Sequence, residues 1–222
     1  MLPRVLVTGS SWASLSILGI VGLSVTLLAL SACQPTKPIL AVHGDSTALG
    51  TREGLNKIYI VAPNLDGDRW ANRIAKARAL TIQSTGVGGS PMVDNIERMK
   101  RTPYLDRPTI IYDLINSKED LDEYVRNIEL AVSLLRTDKF LIMPQVPRAE
   151  GADKPQQLAR LSAVNAAVRA RWPEHTFTAD ETVALTASLY PARTRFDGLH
   201  RNSAGQRIEA EHIGRWLDNA EW

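Results

Sequence analysis

The sequence predicts an α/β fold, a three-layer sandwich in which helices cover both faces of a mostly parallel sheet. Short apolar runs of strand length alternate along the chain with longer segments whose apolar residues recur at helical spacing. That alternation favours parallel strands joined by helical crossovers. Hydrophobic residues make up 44% of the chain and charged ones 23%, an ordinary balance that excludes disorder, collagen-like repeats and a multi-span membrane protein.

The elements are legible in order. Residues 39–43 form an apolar run that stops at Gly44, as expected of a buried strand meeting a turn. A strand is expected over 56–62, broken by Pro63 and Gly67. Over 68–77, Trp70 and Ile74 stand four apart, on one face of a helix. Residues 80–84 read as a strand running into Gly86, Val87, Gly88 and Gly89. A helix over 92–100 and a strand over 109–114 follow. The clearest helix places Leu121, Tyr124, Val125, Ile128, Val132 and Leu135 on one stripe, with Asp120, Glu123, Arg126 and Glu129 facing water. Residues 139–143 give a further strand, stopped by Pro144. Leu158, Leu161, Asn165, Val168 and Trp172 share a helical spacing that ends at Pro173. A final helix is expected from about Ser203, with Ile208, His212, Trp216 and Leu217 inward. Ligands in such sheets bind outside the carboxyl ends of the strands.

The first 32 residues read as a targeting segment. Arg4 precedes an uncharged stretch over 5–32 whose later part, 17–30, is almost wholly apolar, and the exit is small: Leu30, Ser31, Ala32, then Cys33. This exit resembles the lipobox of bacterial lipoproteins, which implies cleavage before Cys33 and acyl chains on it, enough to anchor the protein. Residues 33–38 then form a polar tether, and 39–222 the folded domain. Left uncleaved, the same stretch is also long enough for a transmembrane helix across a bilayer of about 30 Å. Either way the domain lies outside the cytoplasm. Gln34 stands where an aspartate holds enteric lipoproteins in the inner membrane, so the resemblance implies the cell envelope, at the periplasmic face of the outer membrane.

Other classes are excluded by charge and ligand count. Lys and Arg number 26 against 24 Asp and Glu, for a formal net charge of +2 without basic clusters, so no nucleic-acid partner is expected. The single cysteine allows no internal disulfide and no thiolate zinc site. The histidines and carboxylates offer no ligand spacing, so no metal or cofactor is expected. His43 reads as a strand-end histidine beside the serine block, His175 as a loop residue, and His212 as a core or rim residue of the last helix.

Two blocks carry candidate chemistry. Gly44, Asp45, Ser46 and Thr47 follow the first strand, where a serine in a tight turn can project its hydroxyl beside backbone N–H groups able to hold an oxyanion. Asp197, Gly198, Leu199 and His200 precede the last helix. A serine needs a base to take its proton, and an imidazole needs a carboxylate to fix its tautomer, so Ser46, His200 and Asp197 together make a triad. Each block alone is also what an ordinary surface turn requires.

The order and spacing of the two blocks resemble those of the GDSL/SGNH hydrolase family, and the resemblance covers the whole of 39–222. It implies a flavodoxin-like sheet, the SGNH hydrolase fold, and a serine esterase with Ser46 as nucleophile, His200 as base and Asp197 as its orienting carboxylate. The family carries a glycine donor to the oxyanion in a stretch like 85–90, which assigns that role to Gly89, with Gly88 one register away. Its asparagine donor falls on Asn116, although Leu114 and Ser117 stand where the family has glycine and aspartate. Trp70 also fits the usual run-up. The resemblance then implies an oxyanion hole made by the backbone N–H groups of Ser46 and Gly89 and the side-chain amide of Asn116. The implied substrate is a small acyl ester such as an acetylated sugar, with no cofactor. Two alternatives stay open: an O-acyltransferase acting on envelope glycan, and a catalytically inactive lipoprotein that binds glycan or a partner in the same cleft. An α/β-hydrolase elbow wants Gly-x-Ser-x-Gly, but Ala48 occupies its last position.

Overall fold

A computed structural model describes residues 37–49, 69–113, 120–147, 154–189, 192–195 and 200–222. The first strand, β1 (Ile39–Gly44), runs into a four-residue helical turn, α1 (Ser46–Leu49). Then α2 (Trp70–Arg78) leads to β2 (Thr81–Ser84), α3 (Met92–Met99) to β3 (Thr109–Tyr112), and α4 (Leu121–Leu134) to β4 (Phe140–Ile142). The helices α5 (Pro155–Arg171), α6 (Ala179–Leu189) and α7 (Ser203–Asn219) complete the order, with a 3-10 turn over Ala192–Thr194 before the last.

The four strands are parallel in the order β2-β1-β3-β4. Thr176 adds an isolated parallel bridge to Ile142 at the β4 edge, where its hydroxyl donates to the Ile142 carbonyl at 2.7 Å. Side chains alternate between the two faces, as the pleat requires. Leu40, Val42, Ile110, Tyr112 and Leu141 pack with Trp70 and Ile74 of α2 and Ile213 and Trp216 of α7. Ile111, Phe140 and Ile142 pack on the other face with Met92 and Ile96 of α3, Ile128 of α4 and Val164 of α5. Both faces are therefore buried, which is why these strands read as near-continuous apolar runs. Each large apolar side chain so covered contributes about 1.5–3 kcal/mol.

β1 lies between β2 and β3, so the chain leaves it first to one side and then to the other. The crevice at such a reversal, outside the carboxyl ends of β1 and β3, is where ligands bind in open α/β sheets. Gly44 and Tyr112 stand opposite each other at that point.

Several sequence expectations need correction. The helix α6 was not expected, because its buried residues Thr182, Leu185 and Leu189 are few and Val183 on its outer side is exposed. Its start was nevertheless written in a capping box: Glu181 accepts from the Thr178 backbone N–H at 2.8 Å, and the Glu181 N–H donates to the Thr178 hydroxyl at 3.2 Å. The inner stripe of α7 is Gly205, Gln206, Glu209, Ile213, Trp216 and Leu217, whereas Ile208 and His212 are only half-buried. The helix is turned so that a polar residue, Glu209, faces the sheet. On α5, Leu158 is exposed, and Asn165 is buried because its side chain pairs with both backbone groups of Gln145 at 2.7 and 2.9 Å. The strand expected over 56–62 lies outside the described residues. Among the described residues no helix is long and apolar enough to cross a membrane.

Candidate active site

The serine block sits in the crevice because glycine lets it. A Cβ on Gly44 would stand 1.8 Å from the Tyr112 carbonyl oxygen and 2.8 Å from the Ala48 side chain, so only glycine permits this approach of β1 to β3. The next residue closes the turn: the Asp45 carboxylate accepts from the Thr47 backbone N–H at 2.8 Å and from the Thr47 hydroxyl at 2.5 Å. Trp70, fully buried at the start of α2, braces the turn from behind by donating its indole N–H to the Thr47 carbonyl at 2.9 Å. Its own backbone N–H donates to the Gln206 side chain of α7 at 2.9 Å. Ser46 is thereby held almost completely buried, as the first residue of the helical turn that follows the strand.

His200 reaches the same point from the other end of the chain. Its Nε2 lies 2.9 Å from Ser46 Oγ across a separation of 154 residues. When Nε2 is unprotonated the hydroxyl is the donor, which is the arrangement that passes a proton from a nucleophile to a base. The segment carrying His200 is fastened on both sides. Arg195 and Arg201 form an isolated antiparallel bridge, and Arg195 donates to the Pro147 carbonyl at 2.7 Å. Asn202 caps α7 by accepting from the Gly205 N–H at 3.1 Å, and its own N–H donates to the Thr194 carbonyl at 3.0 Å. A Cβ on Gly205 would meet that Thr194 carbonyl at 2.3 Å, so here too a glycine is required by close backbone approach.

Beneath this segment lies a buried charge cluster. Arg201 Nε donates to Glu209 Oε1 at 3.0 Å, with both side chains at most 2% exposed. The Tyr112 hydroxyl donates to the same oxygen at 2.5 Å. Burial, and then the Glu209 charge, push the Tyr112 phenol well above its ordinary range, so it stays protonated and remains a donor.

The glycine stretch forms the opposite wall. The Thr85 N–H donates to the Val42 carbonyl at 3.0 Å and the Val87 N–H to the Gly44 carbonyl at 3.1 Å, so the loop over 85–90 is stitched to the end of β1. A turn closed by the Ser90 N–H on the Val87 carbonyl at 3.2 Å holds Gly89 at φ 72, a backbone state that glycine adopts without strain. Gly89 is exposed, and nothing lies within 4 Å of where its Cβ would be.

Arg98 of α3 fills the space under this loop. Its Nε donates to the Thr85 carbonyl at 2.8 Å, and its Nη2 donates to the Ser90 hydroxyl at 2.8 Å, to the Gly44 carbonyl at 3.4 Å and to the Asn95 side-chain oxygen. Asn95 in turn donates to the Asp113 carboxylate at 2.5 Å. His43 joins the cluster through Nδ1, 2.6 Å from the Thr85 hydroxyl, while its Nε2 is buried without a partner. Burial first, and the Arg98 charge second, lower the His43 pKa to about 4, so the ring is neutral at neutral pH.

Of the residues singled out from sequence, Ser46, His200 and the Gly89 loop come together at one end of the sheet. Asp197, Asn116 and Cys33 lie outside the described residues. Sequence reasoning passed over Arg98, Arg201 and Glu209, because a charged residue on a helix or in the turn before one ordinarily faces water. For Glu209 a signal existed: it falls on the same helical face as Ile213 and Trp216. Among the described residues no group of three or more His, Cys, Asp or Glu side chains is placed to hold a metal.

Neither a family model nor a curated protein matches the chain by sequence. Solved structures do match. One is a lipase/acylhydrolase from Enterococcus faecalis, with a TM-score of 0.63 and 14% identity, covering 82% of this chain and 96% of that one. Another is a member of the lipolytic G-D-S-L family from Veillonella parvula, with a TM-score of 0.59 and 17% identity, covering 80% and 96%. A third is a catalytic mutant of an acetylxylan esterase from Geobacillus stearothermophilus, with a TM-score of 0.59 and 16% identity, covering 82% and 94%. At these identities the likeness is one of architecture, and the chain has the fold of the GDSL/SGNH hydrolases.

Proposed function

We propose that this protein is a serine esterase that hydrolyses small acyl esters, with an acetylated sugar as the substrate type. The observation that carries the reading is the 2.9 Å contact between Ser46 Oγ and His200 Nε2 at the switch point of the sheet. Ser46 Oγ attacks the ester carbonyl carbon while its proton passes to His200 Nε2. The oxyanion is held by the backbone N–H groups of Ser46 and Gly89 and by the side-chain amide of Asn116, each such donor lowering the barrier by about 3 to 4 kcal/mol. His200 then protonates the leaving alcohol oxygen, and the carbonyl re-forms as an acyl-Ser46. Water attacks that acyl group, giving its proton to His200, and the acid leaves as the proton returns to Ser46. Asp197 orients the imidazole and balances its charge in both halves.

The buried, wedged position of Ser46 and the likeness to an acetylxylan esterase support a small acyl group. In the same reading the chain is held at the cell envelope through acylated Cys33; a Cys33→Ser form that still fractionates with membranes would remove that part. The test of the activity is hydrolysis of p-nitrophenyl esters of increasing acyl length, with Ser46→Ala alongside. Turnover highest on acetate and absent in the variant is expected, and equal turnover by the variant would overturn the assignment.

A further inference from the structure

We infer that Arg98 is a positioning residue that locks the loop over 85–90 against the nucleophile's strand, an inference that rests on the esterase reading for its effect on rate. The loop is rich in glycine, which leaves its backbone the most conformational freedom to lose, and its tip is exposed. A donor in an oxyanion hole works only when it is already aimed before charge develops. Something must therefore fix the N–H of Gly89 relative to Ser46.

One planar guanidinium does this at three places. Nε on the Thr85 carbonyl at 2.8 Å holds the beginning of the loop, and Nη2 on the Ser90 hydroxyl at 2.8 Å holds its end. The same Nη2 reaches the Gly44 carbonyl at 3.4 Å, two residues before the nucleophile. The Ser90 hydroxyl passes the restraint inward by donating to the Val87 carbonyl at 2.7 Å, so both ends of the Gly88 and Gly89 turn are fixed. Arg98 is itself aimed by the Asn95 side chain, which is fully buried and tied to Asp113. His43 latches the first anchor from the strand side through the Thr85 hydroxyl at 2.6 Å. The geometry needs a rigid fork; a single ammonium on a flexible stem cannot serve Thr85 and Ser90 at once.

Arg98 touches neither nucleophile nor base, so its loss acts through the loop. Arg98→Lys and Arg98→Ala should lower kcat on p-nitrophenyl acetate by about 10- to 100-fold, with KM changed only slightly, because misplacement by an ångström costs on the order of 10²-fold. Guanidinium ion, far below denaturing concentration, should restore part of the rate to Arg98→Ala and none to the lysine form. In hydrogen exchange, the amides of 86–89 should open faster in both variants while those of α4 and β3 do not. Arg98→Lys keeps the charge under the loop and guards against an alanine form that fails to fold. Unchanged exchange over 86–89, or raised exchange with an unchanged kcat, would overturn the inference. If the intact protein shows no ester turnover, the esterase reading fails by itself. The exchange measurement then decides the clamp alone, with a rise confined to 86–89 supporting it and no rise rejecting it.

Discussion

Arg201 and Glu209 form an ion pair at 3.0 Å in the interior, between the segment that carries His200 and the last helix, with the Tyr112 hydroxyl on the same carboxylate oxygen. Two charges removed from water are costly to bury, and the pairing and the phenol donor offset that cost without creating a large net gain. What such a cluster provides is a fixed geometry. Arg201 adjoins His200 and Tyr112 ends β3, so the cluster ties the base to the strand beside the nucleophile.

Removing one member leaves the others buried and uncompensated. Glu209→Ala should cost about 3–5 kcal/mol in urea unfolding. Tyr112→Phe, which removes one hydrogen bond to a charged group, should cost only about 1.5–3 kcal/mol. For a domain of this size the glutamate variant corresponds to a Tm lowered by roughly 10 °C. A Glu209→Ala form as stable as the parent would show that the cluster is not the structural tie described.

His43 gives the fold a dependence on pH. In the unfolded chain its imidazole takes up a proton near 6.5, whereas burial and then Arg98 delay that uptake to about pH 4 in the folded one. Between those values the unfolded state binds the extra proton, so stability is complete above the upper value, falls as pH drops through the window and is lost below the lower one. The separation corresponds to about 3 kcal/mol. His43→Asn should therefore lose less stability than the parent when urea unfolding is repeated from neutral pH down to pH 4.5. Parallel losses in the two proteins would contradict the account.

Much of the fold was written plainly in the sequence, for a physical reason. β1, β3 and β4 are covered on both faces, so their residues are apolar in unbroken runs, and the turn at Gly44 is forced by backbone contact with Tyr112. Ser46 was legible because it follows the end of β1, where chemistry in such sheets collects, and His200 because it stands in a block with Asp197 just before α7. α6 was harder: Leu185 and Leu189 face inward but Val183 faces water, which blurs the period. The inner face of α7 was misjudged because Glu209 belongs to it: its spacing from Ile213 and Trp216 put it there, but the partners that let a carboxylate be buried, Tyr112 and Arg201, are set by the tertiary fold. Arg98 was hidden for the same reason, since its acceptors, among them the backbone oxygens of Thr85 and Gly44, are brought to it only by the tertiary fold.

The pairing of Ser46 with His200 is tested most directly by fluorophosphonate labelling read by mass spectrometry. The account predicts one adduct per chain, on Ser46, absent from Ser46→Ala and formed at least about 10³-fold more slowly in His200→Ala, since the hydroxyl is a weak nucleophile without its base. An adduct on another residue, or a labelling rate indifferent to the loss of His200, would contradict it.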